Sequence, residues 1–432
     1  MKLRKIIICA LIVIGLITNL GTAAFRVNRI FPLPKIVDFA SYYSHALALR
    51  LGESIYPLSE EFLSRAKLDK GLYLDVPVLH SPPIWIVLII PFTYLRFPTA
   101  AWLWVSILVV CLLVSTQLLL EIASPVFPST PLRKKISLWL LVALIVITFG
   151  PCFLSLTLGQ NSILILAACL GIGRWLGSNR RNILKPALLC AIAVSAKIYP
   201  LFWIGFFAAI RMWKLVVASI AVIAVCFTIV AAYRPDVTTS YWGTFIVQRA
   251  SQLKQDVFID DQSLRSFLAR MFQSRTYGFG TLDPEQRATV TWSPPLTLSD
   301  RWVSVVSYSL FAALAGLSVF STLASKRIDC EGGLYLFALI SLLSFPHMER
   351  YNHVLLLPAM AWLWKKNRQG KNIAIISYML VGVSRLTHFW AIRFGYPIGA
   401  LATGSSLFAL LLLVGSIAKN LIQEKNQPES RG

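Results

Sequence analysis

The sequence predicts an all-α, polytopic membrane protein, and three observations carry that expectation. Hydrophobic residues make up 56% of the 432 and charged residues only 14%, with a mean hydropathy of +0.67. A soluble globular domain carries roughly 25% charged residues. The charges are also segregated, clustering between long apolar runs at residues 6–20, 102–120, 136–148 and 401–417. Each run approaches the roughly 20 residues with which a helix crosses a hydrocarbon core of about 30 Å.

The first run opens on Lys2, Arg4 and Lys5 and ends on Gly21, Thr22, Ala23 and Ala24, a pattern shared with cleaved signal peptides. Many spans follow it, and the Asp-bearing segment beyond needs a tether, so an uncleaved first span is expected. The net charge of +22 fits positive-inside topology and attraction to anionic headgroups. No basic stripe with interleaved aromatics accompanies it, so no nucleic-acid partner is expected. The seven cysteines show no CxxC spacing, and they suggest neither a disulfide framework nor a metal site.

Lys and Arg give the spans a direction. With the N-terminus inside, the basic loops around Arg133, Arg174, Arg211, Lys326 and Lys365 and the C-terminal tail all fall inside under one assignment of about 12 crossings. That assignment requires residues 84–95 not to cross. The segment follows Ser81-Pro82-Pro83, contains Pro91, and has an apolar part of about a dozen residues, short for a span. It reads as a re-entrant or interface-lying helix. Residues 186–210 are flanked by basic loops on both sides, yet Lys197, Tyr199 and Pro200 interrupt the middle, where a lysine is costly. Two half-length helices meeting at a recessed outer tip satisfy both facts, with the tip backbone buried in protein or lining a cavity.

Residues 1–422 are therefore expected to form one transmembrane domain with two long extracytoplasmic segments, 25–97 and 234–301. Loops of that length usually carry function. Residues 423–432 read as a disordered cytoplasmic tail. In the first long segment Tyr42, Tyr43, His45, Ala46, Leu49 and Arg50 have helical spacing and Gly52 offers a stop, which suits an amphipathic helix in the interface plane.

Four constellations converge on the outer face. Asp38 lies among apolar and aromatic neighbours, which favours a raised pKa and a role as a base; a helix N-cap is the alternative. Tyr42 and Tyr43 on the same segment are candidate sugar or acceptor contacts. Gln160 and Asn161 occupy a turn between two spans, where they either bond sugar hydroxyls or form a polar turn with a helix cap. Lys197 at the recessed tip either meets a lipid-borne phosphate or snorkels to the interface. Residues 344–353 pack His347, Glu349, Arg350 and His353 between apolar runs, where charges need partners or a substrate. A phosphate or sugar contact by His347 and Arg350 is the favoured reading. A zinc site from His347, Glu349 and His353 matches no standard ligand spacing. Gln262, in the polar run 260–265, belongs either to a lid or acceptor surface or to a capped surface helix. There is no Walker loop and no GxGxxG after a strand, so a nucleotide-driven mechanism lacks support.

Taken in order, these pieces resemble a known family. Asp38-Phe39-Ala40-Ser41-Tyr42-Tyr43 and Gly52-Glu53-Ser54-Ile55-Tyr56 are similar to the start of glycosyltransferase family 87, bacterial polyprenyl-phosphate-mannose-dependent mannosyltransferases with the GT-C fold. Ser81-Pro82-Pro83, Gly159-Gln160-Asn161, Ala196-Lys197-Ile198-Tyr199-Pro200, Asp261-Gln262-Ser263-Leu264 and the 347–353 segment follow in the family's order. The resemblance implies a GT-C-like bundle, a hexose donor on a polyprenyl phosphate, an extracytoplasmic site and inverting transfer to a lipid or glycan acceptor. The family's general base carries over to Asp38, and its contacts to donor phosphate to Lys197, His347 and Arg350. Gln160, Asn161, Gln262 and His353 join Tyr42 and Tyr43 as sugar or acceptor contacts. Residues 345–351 depart from the usual Ser-Pro-x-x-W-x-H pattern because 348–351 contain no Trp, which leaves open whether His347 or His353 is the functional histidine. No cofactor and no metal is needed, since Lys, Arg and His can stabilise a leaving phosphate. A lipid-linked-sugar flippase or an oligosaccharide polymerase or ligase would also use buried charge and broken helices, although no two-half symmetry is present.

Overall fold

The computed structural model describes residues 33–56, 58–74, 81–124, 131–178, 182–242, 261–278, 289–324, 329–344, 348–384 and 393–424, with Gly21 and Ala391. The expected first span, residues 6–20, lies outside them, as do His347, Asp260 and all but the first two residues of the tail.

The chain begins at the site end with α1 (Val37–Arg50) and α2 (Glu60–Lys70). In α1, Asp38 stands in the first turn and Arg50 in the last, each favourable to the helix dipole. The helix stops at Gly52, whose φ of +78° suits a residue without Cβ. Every residue from Phe39 to Leu49 is buried. The expected half-exposed amphipathic helix is thus a buried one, because Phe39, Tyr42, Tyr43, Leu47 and Leu49 surround its axis. α2, in contrast, is mostly exposed and capped at both ends: Ser59 Oγ accepts from the Phe62 N–H at 3.2 Å, and Gly71 is left-handed.

Next come α3 (Pro83–Ile89), continued by a 3-10 turn to Tyr94, and α4 (Phe97–Ala123). The helical stretch Pro83–Tyr94 is about 18 Å long at helical rise, too short to cross. α5 (Leu132–Thr148) and α6 (Gly150–Leu158) meet at 67°, where Pro151 cannot continue the preceding ladder. α7 (Ser162–Leu176) and α8 (Leu184–Ala196) follow, then a 3-10 turn at Tyr199–Leu201 and α9 (Phe202–Ala209). α10 (Trp213–Tyr233), the short α11 (Pro235–Thr239) and α12 (Leu264–Phe272) lead to an antiparallel hairpin of β1 (Arg275–Gly278) and β2 (Thr289–Trp292). The rest is helical: α13 (Asp300–Ala324), α14 (Cys330–Leu343), a 3-10 turn (Arg350–Leu355), α15 (Leu356–Lys366), α16 (Arg368–Val383), α17 (Ile398–Thr403) and α18 (Ser405–Glu424).

The fold is a helical bundle with one small hairpin, but the expected 12 or so crossings are not seen among the described residues. Among the described residues four helices, α4, α10, α13 and α18, are long and apolar enough to cross a membrane, and a fifth crossing arises if α5 and α6 form one bent span. Several apolar runs were counted as spans because hydropathy registers composition, while the chain breaks them into shorter helices. α7, α8 and α14 have 15, 13 and 14 residues. Apolar side chains cover the outside of the long helices, with Val217 65% and Phe320 61% exposed, as a lipid-facing surface requires.

The break between α8 and α9 falls at Lys197, which is fully extended. Pro200 disfavours helix at the residue before it. Phe206 of α9 packs on Phe337 with ring centroids 5.5 Å apart and lies against Gly333 of α14. The last turn of α7 reaches that same end of α14, with Gly173 against Tyr335 and Gly177 near Glu331. The chain therefore enters α8 and leaves α9 at one end of the bundle, and Lys197 stands at the far tip. Ion pairs mark the end beside α14's start: Lys366 pairs with Asp329 at 2.7 Å, and Arg174 with Glu121 at 3.1 Å. At the opposite end the two long polar segments touch, where Arg234 Nη2 donates to the Glu53 carbonyl at 3.3 Å. One apolar core extends from Ile36 to Leu421, with a small satellite of Tyr277, Trp292, Val303 and others under the hairpin.

Candidate functional site

A tight turn seats the first site residues. α6 ends at Gly159, with φ +73°, and a Cβ there would lie 2.9 Å from the Cβ atoms of both Ile36 and Phe39. Only glycine lets this turn rest on the start of α1. Trp104 Nε1 donates to the Gly159 carbonyl at 2.8 Å and pins it there. Gln160 then faces Asp38. Its Oε1 accepts from Tyr42 Oη at 3.0 Å, and its side chain also hydrogen-bonds the Asp38 carboxylate, so the amide nitrogen donates to the acid. Asp38 is not an N-cap; Ile36 holds that position without a side-chain bond.

Asn161 ties this turn to the lysine tip. Its Nδ2 donates to the Ala196 carbonyl at 3.0 Å, one residue before Lys197, and the amide is fully buried. It precedes α7 but makes no capping bond.

The third strand of the arrangement is the turn before α15. Asp261 and Glu349 form an antiparallel bridge, the Gln262 N–H donates to the Met348 carbonyl at 2.7 Å, and the Met348 N–H donates to Asp261 Oδ1 at 2.9 Å. Asp261 also accepts from Ser263 N–H and Ser266 Oγ, so the start of α12 is strapped to this turn. In a 3-10 helix, residues three apart eclipse. Arg350 and His353 thus share one face of this turn, and Asn352 stands on another. Asn352 Oδ1 accepts from Lys197 Nζ at 2.8 Å and from Ser162 Oγ at 3.0 Å. Lys197 Nζ stands 4.2 Å from the Tyr351 ring centroid, a cation–π contact, and Tyr351 hydrogen-bonds Glu349.

Asp38 and Lys197 lie outside the candidate crossing helices. Asp38 keeps some residue surface open, yet its carboxyl is desolvated. Burial above all, and then the Glu349 charge, push it up to about 7, against the pull of Gln160 and Lys197. Burial lowers Lys197 to about 8, partly offset by Glu349 and Asp38. An acid raised and an ammonium lowered toward neutrality, in one buried cluster, make this a candidate functional site.

The structure thus gathers Asp38, Tyr42, Gln160, Asn161 and Lys197. Four expected members fall elsewhere. Tyr43 points the other way round α1, donating to the Leu95 carbonyl at 2.7 Å with its ring against Phe97. Gln262 Nε2 donates to the Thr403 carbonyl at 2.9 Å, which fastens α12 to α17. Arg350 Nη1 donates to the Ser384 carbonyl at 2.5 Å, away from Lys197. His353 is fully buried, and neither ring nitrogen has a hydrogen-bond partner among the described residues. Burial first, and then Arg350, pull its pKa down to about 3, so it is neutral. Of the three residues of the zinc alternative, His347 lies outside the described residues. Tyr351, Asn352 and Ser162 were not among the expected site residues, and Glu349 entered only as a loop charge and as a member of the zinc alternative. Their meeting around Lys197 depends on contacts between elements far apart in the chain.

The helical bundle with several long apolar helices defines a multi-pass membrane protein, with the acid–ammonium pair as its candidate site. Glycosyltransferase family 87 matches residues 80–346, well over half of the chain, and the chain belongs to that family of glycosyltransferases. Gln160, Asn161, Lys197 and Gln262 lie within the matched segment, Asp38 precedes it, and Glu349 and Asn352 follow it. No curated protein and no solved structure matches the chain.

Proposed function

We propose that the protein transfers a hexose, mannose by the family resemblance, from a polyprenyl-phosphate donor to a lipid or glycan acceptor on the extracytoplasmic side of the membrane. The observation that carries this reading is the juxtaposition of Asp38 with Lys197 at the tip of two half-length helices. The acceptor hydroxyl oxygen attacks the anomeric carbon, and the bond from that carbon to the phosphate oxygen breaks. Its electron pair leaves with the polyprenyl phosphate, and the hydroxyl proton passes to Asp38. Attack opposite the leaving group inverts the anomeric centre. Lys197 lies where it would meet the charge that develops on phosphate. Delivery by a lipid keeps one reactant near the bilayer plane, which lowers the orientational cost. Gln160 orients the carboxylate, and Tyr42 orients Gln160 in turn.

General acid–base groups contribute typically about 10²–10⁴-fold. Purified Asp38→Asn should therefore bind polyprenyl phosphate normally and lose transfer by at least about 100-fold. The assay is radiolabelled sugar transfer from a synthetic polyprenyl-phosphate mannose. Near-normal turnover of this variant would sink the assignment of the base. Sealed-vesicle transport of the donor without transfer would sink the enzymatic reading.

A further inference from the structure

We propose that Asn352 is the positioning residue of the Lys197 ammonium, fixing its place in the site without cancelling its charge. The inference rests on the reading of Lys197 as the donor-phosphate contact and deepens it. A lysine carries a compact charge on a flexible four-carbon stem, so its ammonium goes where its hydrogen bonds send it. Here Asn352 Oδ1 takes one of its protons at 2.8 Å, and the Tyr351 ring covers a second side at 4.2 Å. The amide cannot turn away easily, because Ser162 Oγ donates to the same oxygen at 3.0 Å from the first turn of α7. Tyr351 is fixed in turn by Glu349 and by Ser155 Oγ, which donates to the Tyr351 carbonyl at 3.3 Å. Asn352 is 6% exposed and Ser162 fully buried, so water does not compete freely for these bonds.

The choice of an amide is informative. A carboxylate at 352 would hold the ammonium more tightly, but it would neutralise the charge that an incoming phosphate needs. An amide oxygen orients the cation and leaves it a full cation. An isosteric exchange therefore separates position from charge, which a merely structural role does not.

The test is binding of polyprenyl monophosphate to the purified full-length protein in detergent, with transfer kinetics alongside. Hydrogen bonds to charged groups contribute about 1.5–3 kcal/mol, roughly 10- to 100-fold. Lys197→Ala should weaken phosphate binding, and Asn352→Leu should weaken it by about tenfold or more and raise KM more than it lowers kcat. The double variant Lys197→Ala/Asn352→Leu should bind no worse than Lys197→Ala alone, because Asn352 acts only through the lysine. Asn352→Asp, which keeps shape and hydrogen bond, should fold like the native protein and still bind phosphate as weakly as Asn352→Leu. Losses that add in the double variant, or native affinity in Asn352→Asp, overturn this proposal alone. Unchanged binding in Lys197→Ala overturns the phosphate reading of the lysine and this proposal with it.

Discussion

Asp38 and Lys197 are moved toward neutrality by the same cause acting on opposite charges. Burial disfavours the carboxylate and raises it to about 7, and it disfavours the ammonium and lowers it to about 8. A base must be ionised and the phosphate contact protonated. In the free enzyme kcat/KM should then rise with pH through about 7 and fall again through about 8. Glu349 acts on both groups. Its anion opposes the Asp38 anion and favours the Lys197 cation, so it raises both pKa values. Glu349→Gln should lower both, moving the two limbs of the profile to lower pH together. A limb that stays in place, or moves to higher pH, contradicts the placement of Glu349 beside the pair. The check is kcat/KM measured against pH for both proteins.

The elements that bring these residues together meet through turns with little tolerance. At Gly159 a methyl group would have to displace Ile36 and Phe39, and φ is positive as well. Gly159→Ala should destabilise the protein by about 1–3 kcal/mol, the usual cost of overpacking, and should also impair transfer, because the turn carries Gln160. Gly52→Ala provides the contrast. Its φ is +78°, but nothing lies within 4 Å of the added carbon, so only backbone strain of about 1–2 kcal/mol is expected and activity should persist. Thermal unfolding in detergent, read beside transfer activity, separates the two. The strap from Asp261 to Met348 and the bond from Asn161 to Ala196 have the same character. Each joins segments far apart in the sequence.

For the molecule in its membrane, the two ends of the bundle differ in charge. Arg174, Lys365, Lys366 and the Asp329 and Glu331 carboxylates gather at the end where α7 finishes and α14 begins. α10 runs from beside that end to Arg234, which touches the segment after α1. We propose that the end carrying Arg174, Lys365 and Lys366 faces the cytoplasm, as the positive-inside rule favours, and that Asp38 faces the other side. In a cysteine-free background, Leu51→Cys should react in intact cells with a membrane-impermeant maleimide. Ser178→Cys should react only after permeabilisation. Labelling from one face only, or with the faces exchanged, would overturn this orientation and remove the case for a lipid-borne donor.

Much of this protein follows from local properties of its sequence. Membrane residence follows from composition, because hydrophobic transfer adds residue by residue. The interruptions also show locally: Pro151 and Pro200 cannot continue a helix, and a lysine at position 197 does not suit the middle of a span. Asp38, Gln160 and Lys197 were therefore legible as polar residues set where apolar ones belong. What the contacts alone decided is how these residues face one another. Tyr42 and Gln160 meet across 118 positions, and Lys197 and Asn352 across 155. The number of long crossing helices was likewise out of reach, since hydropathy does not reveal that an apolar run folds as two short pieces. Arg350 and Asn352 point to different sides of the 3-10 turn, and only the packing of that turn decides that the Asn352 side meets the lysine while Arg350 meets Ser384.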